Sequence, residues 1–363
     1  MGISFLCIYD LSCERIYQQP VDYPNMRSEL IHKIFGSAES LTEELILEVF
    51  RYQFHHNPLY REFCQAIHRV PGDVRTLQDL PFLPIRFFKT HAVKTGEYEP
   101  EAWFESSGTT GTTNSKHFLR SEDIYRQSFT KGFQQFYGDP ADWCIIGLLP
   151  AYLEREHSSL VVMADELIRL SGHPQSGFYL YNYPHLQETL QKLEMAGQRV
   201  LLIGVTFALL DFAETFPMKL EHTTIMETGG MKGRRKEITR AELHEILAEA
   251  FGQPPIHSEY GMTEMLSQAY AGDNGFFYTP PWLKILLREE DDPLAILPPG
   301  GYYPAGGTRR VVNGAINLVD LANLDSCCFI ATEDMGRLHE DGGFEVLGRI
   351  DNSDIRGCSL MTI

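Results

Sequence analysis

The sequence predicts an α/β fold, with mostly parallel sheets flanked by helices, behind a helical N-terminal region and ahead of a short β-rich C-terminal portion. Three observations carry that expectation. Between Trp143 and Ser258, apolar runs alternate with amphipathic segments, as strands joined by helical crossovers do. The stretch 1–100 instead places apolar residues at helical spacing. Beyond Gly275 helical periodicity gives way to strand-like runs separated by Gly and Pro.

Taken in order, Ser40-x-x-Glu43 has the form of a capping box, and Leu41, Leu45, Val49, Phe50 and Phe54 follow at helical spacing. Asn57-Pro58 ends that helix and opens another with Leu59, Phe63 and Ile67 on one face. His55 and His56 are adjacent on a helix and so point to different faces, which reads as two solvent-side residues rather than a metal site. The prolines of Leu80-Pro81-Phe82-Leu83-Pro84 exclude a helix and indicate an extended connector. Ser121 is expected to cap a helix carrying Tyr125, Phe129, Phe133 and Phe136, closed by Gly138. Strands are expected at Trp143–Leu149, Phe178–Tyr181, Val200–Val205, Thr223–Glu227 and Ile256–Ser258. Helices are expected near Ser159–Leu170, His185–Ala196, Thr206–Phe216 and Glu237–Phe251, the last with the capping box Thr239-x-x-Glu242. The final strands are Trp282–Arg288, Ala315–Val319, Cys327–Thr332 and Phe344–Leu347, with a hairpin turn at Asp341-Gly342-Gly343.

Composition narrows the function classes. A formal charge of −18 argues against a nucleic-acid partner, and the one dense cationic cluster, Lys232 to Lys236, reads as a solvated loop. The longest apolar run, Val200 to Leu210, is too short to span a bilayer. Seven cysteines without a Cys-x-x-Cys pair read as reduced thiols of a cytoplasmic protein, not as a disulfide framework or zinc ribbon.

Chemistry concentrates in loops. Glu105 to His117 holds seven Ser or Thr among thirteen residues, with Gly108 and Gly111. Such a loop aims backbone N–H groups and hydroxyls at an anion of the phosphate type, although the same residues also make ordinary surface turns. The Walker spacing is absent. In a parallel sheet the loops after the strands share one edge, where ligands bind. At that edge Thr228-Gly229-Gly230 offers bare backbone to a flat group. Glu259-Tyr260-Gly261-Met262-Thr263-Glu264 supplies an aromatic face, a hydroxyl and two carboxylates, and Glu264 is placed to hold a Mg²⁺ bridging phosphates.

Four of these segments, in this order, resemble the signature of adenylate-forming enzymes, the superfamily of acyl-CoA synthetases, adenylation domains and luciferases. Ser106-Ser107-Gly108-Thr109-Thr110-Gly111 resembles its phosphate loop. Tyr260-Gly261-Met262-Thr263-Glu264 resembles the motif whose Tyr stacks on adenine, whose Thr contacts phosphate and whose Glu binds Mg²⁺. Thr332-Glu333-Asp334 is similar to the segment whose Asp holds the ribose hydroxyls, and Gly348-Arg349-Ile350-Asp351 to the hinge motif, with Arg349 near ribose and phosphate. Asn57-Pro58-Leu59-Tyr60, Leu83-Pro84-Ile85 with Phe88-Lys89, and Arg356-Gly357-Cys358-Ser359-Leu360 narrow the resemblance to the acyl-protein synthetases (LuxE-like) that supply fatty acids to reductases.

The resemblance implies ATP and Mg²⁺ as cofactors, a fatty acid as substrate, an acyl-CoA reductase as possible partner, and Cys358 as the thiol that takes the acyl group. It implies an adenylation domain over 1–347, a hinge-like stub over 348–363, and no mobile C-terminal lid. Phenylacetate-type CoA ligases that use a separate lid, and a catalytically silent nucleotide-binding subunit, are the alternatives. Two further departures stand out: the loop lysine is displaced to Lys116, and Glu333 replaces a glycine before Asp334.

Overall fold

The computed structural model describes residues 23–36, 41–106, 113–150, 157–229, 238–298 and 312–350. The chain begins with α1 (Tyr23–Gly36), α2 (Glu43–His56) and α3 (Pro58–Ala66). The α2 cap is Thr42, whose hydroxyl accepts the Leu45 N–H at 3.2 Å, and not Ser40, which lies outside the described residues. Glu43 is used elsewhere, its Oε1 accepting the Leu77 N–H at 2.8 Å. Asn57 does cap α3 through its side chain, but the fully buried residues there are Tyr60 and Cys64, one position on from the expected Leu59 and Phe63. That rotation brings the Tyr60 ring onto Phe329, stacked at 5.8 Å.

The extended connector contains β1 (Leu83–Pro84), which pairs in parallel with a later strand, and is followed by the single turn α4 (Phe87–Thr90). A hairpin of β2 (Ala102–Glu105) and β3 (Lys116–Leu119) comes next, then α5 (Asp123–Tyr137), closed by Gly138 at φ +81°. Ser121 accepts the Asp123 N–H at 3.1 Å but stands one residue before the cap position, which is Glu122 and makes no side-chain cap bond.

The alternating region runs β4 (Cys144–Leu148), α6 (Ser159–Ser171), β5 (Gly177–Phe178), α7 (Tyr183–Met195), β6 (Val200–Val205), α8 (Thr206–Thr215), β7 (Thr223–Thr228), α9 (Arg240–Phe251) and β8 (Ile256–Tyr260). The capping box of Thr239 and Glu242 forms as expected. Then come β9 (Ala269–Ala271), β10 (Phe277–Tyr278), β11 (Leu283–Arg288), β12 (Val312–Asp320), β13 (Phe329–Leu338) and β14 (Phe344–Arg349).

Among the described residues one large sheet has the order β11-β12-β13-β14-β10-β9-β8-β7-β6-β4-β5, with β1 beside β13. From β8 to β5 every pair is parallel; from β8 to β11 every pair is antiparallel. The inner parallel strands β4 and β6 are apolar on both faces because both are covered. Ile145, Leu201, Ile203 and Met226 face a core shared with α1, α2 and α5. Their neighbours Cys144, Ile146, Val200, Leu202 and Ile225 face α7, α8 and α9. Because these strands run parallel, their carboxyl ends line one edge of the sheet. Glu259 and Tyr260 stand at that edge.

Candidate functional site

The Ser/Thr/Gly stretch joins the two strands of the β2–β3 hairpin. Ser106 latches its mouth: its N–H donates to the Ser115 carbonyl at 3.1 Å, and its hydroxyl accepts the Ser115 N–H at 2.9 Å. Asn114 Nδ2 donates to Glu105 Oε1 at 2.8 Å. Ser107, Gly108, Thr109, Thr110 and Gly111 lie outside the described residues, as do Gly230 and Cys358. Strand alternation turns Lys116 outward to solvent and His117 inward.

His117 reaches the motif at the end of β8. Its Nδ1 is 3.0 Å from the Thr263 carbonyl and its Nε2 is 2.8 Å from Ser326 Oγ. A carbonyl only accepts, so Nδ1 carries the proton and Nε2 accepts the Ser326 hydroxyl. Burial pushes the imidazole pKa down to about 4, which leaves the ring neutral. One residue further, Asn323 Nδ2 donates to the Glu264 carbonyl at 2.8 Å. Asp320 then collects the Leu266 and Ser267 N–H groups at 2.9 and 3.1 Å. The Thr263–Glu264 turn is thus held from beneath by a buried polar set. Sequence reading gave no role to His117, Asn323 or Asp320. The available signal was the polarity of Asp320 and Asn323 inside an otherwise apolar run.

On the other side of the turn, Tyr260 donates its hydroxyl to Asp334 Oδ2 at 2.8 Å. Asp334 stands opposite Arg349 in the β13–β14 ladder. Glu333, which stands where the motif that Thr332-Glu333-Asp334 resembles has a glycine, forms ion pairs with Arg349 and with Arg86. Among the described residues, Arg349 Nε is buried without a partner, a charged N–H that lacks an acceptor. An anionic ligand beside Asp334 would supply one.

The structure therefore brings Tyr260, Asp334 and Arg349 together, and joins Thr263 and Glu264 to β3 through His117. Glu259 is turned to the opposite face of β8, where its Oε2 accepts the Thr228 hydroxyl. Burial raises its carboxyl pKa to about 7. Gly261 is exposed, and a Cβ there would run into Glu259 Oε1. Gly229, at φ +69°, takes the left-handed conformation open to glycine, and its carbonyl accepts the Thr206 hydroxyl at 3.0 Å.

No group of three or more His, Cys, Asp or Glu among the described residues forms a protein-only metal cage. The donor set fits the ordinary mode of Mg²⁺, which takes one or two carboxylates together with substrate phosphates. Glu264, the carboxylate in that set, is buried at 6% exposure. Tyr260, Asp334 and Arg349 fit a nucleotide by the same test, through the unpaired Nε of Arg349.

The family model described as acyl-protein synthetase, LuxE, matches residues 26–150. The chain is 22% identical over 349 residues to the long-chain-fatty-acid–luciferin-component ligase of Vibrio harveyi, covering 89% of this chain and 87% of the relative. A shorter match of 78 residues, 37% identical, covers 21% of this chain and 66% of the corresponding ligase of Photorhabdus luminescens. In fold it is similar to 2-hydroxyisobutyryl-CoA ligase in the postadenylation state, with TM-score 0.60 and 14% identity, over 85% of this chain and 68% of that one. No described helix is long and apolar enough to cross a membrane.

Proposed function

Because the chain resembles the acyl-protein synthetases of the LuxE family in sequence and the adenylate-forming enzymes in fold, we propose that it activates a fatty acid with ATP. The carboxylate attacks the α-phosphate, a bond forms between its oxygen and phosphorus, and pyrophosphate leaves. The acyl-adenylate then passes its acyl group to a thiol, releasing AMP. The observation that carries this reading is the meeting of Tyr260, Asp334 and Arg349 at the sheet edge, next to the suspended Thr263–Glu264 turn.

The roles proposed for these residues are those the resemblance implies, and their placement supports them. The Tyr260 ring packs against Phe277 and Phe344, which fixes one face and leaves its hydroxyl on Asp334. Asp334 would hold the ribose hydroxyls and Arg349 the adjoining phosphate. Thr263 and the loop from Ser106 would donate to phosphate oxygens. A Mg²⁺ on Glu264 would offset the charge of the phosphates. Catalysis of this kind rests on positioning and electrostatic stabilisation more than on proton transfer.

The acceptor we propose is Cys358, as a thioester, delivered onward to an acyl-reductase partner. The buried cysteines serve this role poorly. Cys327 and Cys328 are fully buried, and burial raises both thiols, Cys327 to about 12, away from the reactive thiolate. The test is incubation with ATP, Mg²⁺ and a labelled fatty acid. AMP and pyrophosphate should form, with label on protein that hydroxylamine removes. Formation of ADP instead, or no acid-dependent ATP cleavage, overturns the reading.

A further inference from the structure

The face of β8 opposite Tyr260 carries a polar cluster for which adenylate formation has no use. Glu259 stands opposite Tyr270 in the β8–β9 ladder, so the two side chains share a face. Glu259 Oε1 curls under Gly261, and Gln268 Cγ lies 3.6 Å from where a Gly261 Cβ would stand. The last turn of α5 closes over them: the Tyr270 ring lies 5.2 Å from Phe136 and 5.4 Å from Tyr137. Phe136 brings no polar atom, and the Tyr137 hydroxyl is already engaged with His257 Nδ1 at 3.1 Å.

The cluster is short of partners. Among the described residues, the groups that act on the Glu259 carboxyl are the Thr228 hydroxyl and the Glu227 carboxylate, with no cation between them. Glu259 as a residue is half-buried, while its carboxyl is desolvated enough for its pKa to be raised. The Tyr270 hydroxyl and Gln268 Oε1 are both buried without a hydrogen-bond partner among the described residues, on side chains of residues only 3% and 6% exposed. Three polar groups in one place, two of them unpaired, would be a poor wall for a plain alkyl chain.

Resting on the acyl-activation reading, we propose that this cluster receives a hydroxyl on the chain of the acid, making the substrate a hydroxylated fatty acid. A hydroxyl donates and accepts at once. It can give its proton to Gln268 Oε1 or to Glu259 and take the proton of Tyr270, and it serves either orientation of the Gln268 amide. An ammonium group would leave the Tyr270 proton unpaired, and a second carboxylate would meet Glu259. The rings of Phe136 and Tyr137 beside Tyr270 offer apolar surface for the methylenes.

The test uses the full chain and ATP–pyrophosphate exchange. The acids are tetradecanoate, its counterparts hydroxylated near the carboxyl end, at mid-chain or at the terminal carbon, and a terminally aminated counterpart. The proposal expects one hydroxylated acid to exceed tetradecanoate in kcat/KM by at least about tenfold, since a site built to bond a hydroxyl discriminates against its absence. Tyr270→Phe and Gln268→Leu should each erase most of that ratio without lowering kcat/KM for tetradecanoate. Equal or better use of tetradecanoate by the unaltered protein, preference for the aminated acid, or an unchanged ratio in both variants overturns it. Exchange with none of the acids would bring down the activation reading instead. The cluster is then judged by calorimetry: tighter binding of a hydroxylated acid, lost in Tyr270→Phe, upholds the proposal, and its absence overturns it.

Discussion

The Tyr260 hydroxyl donates to Asp334 Oδ2 at 2.8 Å, joining the end of β8 to the middle of β13 across the strands that separate them in the sheet. The bond fixes the tyrosine ring against Phe277 and Phe344 and orients the carboxylate. Thr332 adds to this, its hydroxyl accepting the Asp334 N–H at 3.1 Å.

Asp334→Ala should therefore weaken ATP binding by about 1.5–3 kcal/mol, the scale of hydrogen bonds that involve a charged group. Titration calorimetry with ATP and Mg²⁺ measures it. Unchanged affinity would remove Asp334 from the nucleotide site and leave the Tyr260 bond a purely structural tie.

His117 offers a separate handle, because its two nitrogens do different things. An asparagine amide nitrogen stands near the Nδ1 position and a glutamine amide near Nε2. His117→Asn should keep the bond to the Thr263 carbonyl and retain most of the exchange activity. His117→Gln should keep Ser326 and lose Thr263, with kcat falling roughly tenfold or more for a displaced catalytic turn. Equal activity in the two variants would mean that the imidazole does not position the turn.

The same residue predicts a pH dependence of stability. Its folded pKa is about 4, below the ordinary value for histidine, so between the two the unfolded chain binds the extra proton. Stability from this group is then complete above pH ~6.5 and is lost as the pH falls toward 4. Asp320 and Glu259, whose carboxyls burial raises to about 6 and about 7, act with the opposite sign over part of that range. The difference between the unaltered chain and His117→Asn in urea unfolding isolates the histidine. It should shrink by about 3 kcal/mol from pH ~6.5 to ~4, at roughly 1.4 kcal/mol for each pH unit between the unfolded and folded values. A constant difference would mean that the ring is solvated or charged in the folded state.

A fourth outcome concerns the acyl acceptor. Labelled fatty acid, ATP and Mg²⁺ should leave hydroxylamine-sensitive label on the protein, and Cys358→Ser should lose that label while pyrophosphate exchange survives. Equal labelling of Cys358→Ser would move the thioester elsewhere.

Much of the fold was legible because local signals agree with it. The alternation of apolar runs and amphipathic segments placed β6 to the residue, and the turn at Asp341 to Gly343 joins β13 to β14 as its glycines suggested. The strands missed were short or lacked a pattern of their own. β2 and β3 flank the Ser/Thr/Gly loop with four residues each, and β1, β9 and β10 depend on partners that no local pattern reveals. The α3 face was misjudged by one position because Phe329, which Tyr60 stacks against, lies far along the chain. For the candidate site, motif residues carried the reading. The residues beneath them did not, since the bonds from His117 to Thr263 and from Asn323 to Glu264 span long sequence separations.

The central claim, activation of a fatty acid by adenylate formation at this site, is tested most directly by ATP–pyrophosphate exchange in the unaltered chain and in Glu264→Gln. Removing the charge of a Mg²⁺ ligand withdraws several kcal/mol of transition-state stabilisation. The account predicts fatty-acid-dependent exchange that is abolished in a Glu264→Gln variant whose circular dichroism matches the unaltered chain. Unchanged exchange in that folded variant, or exchange that does not depend on the acid, would contradict it.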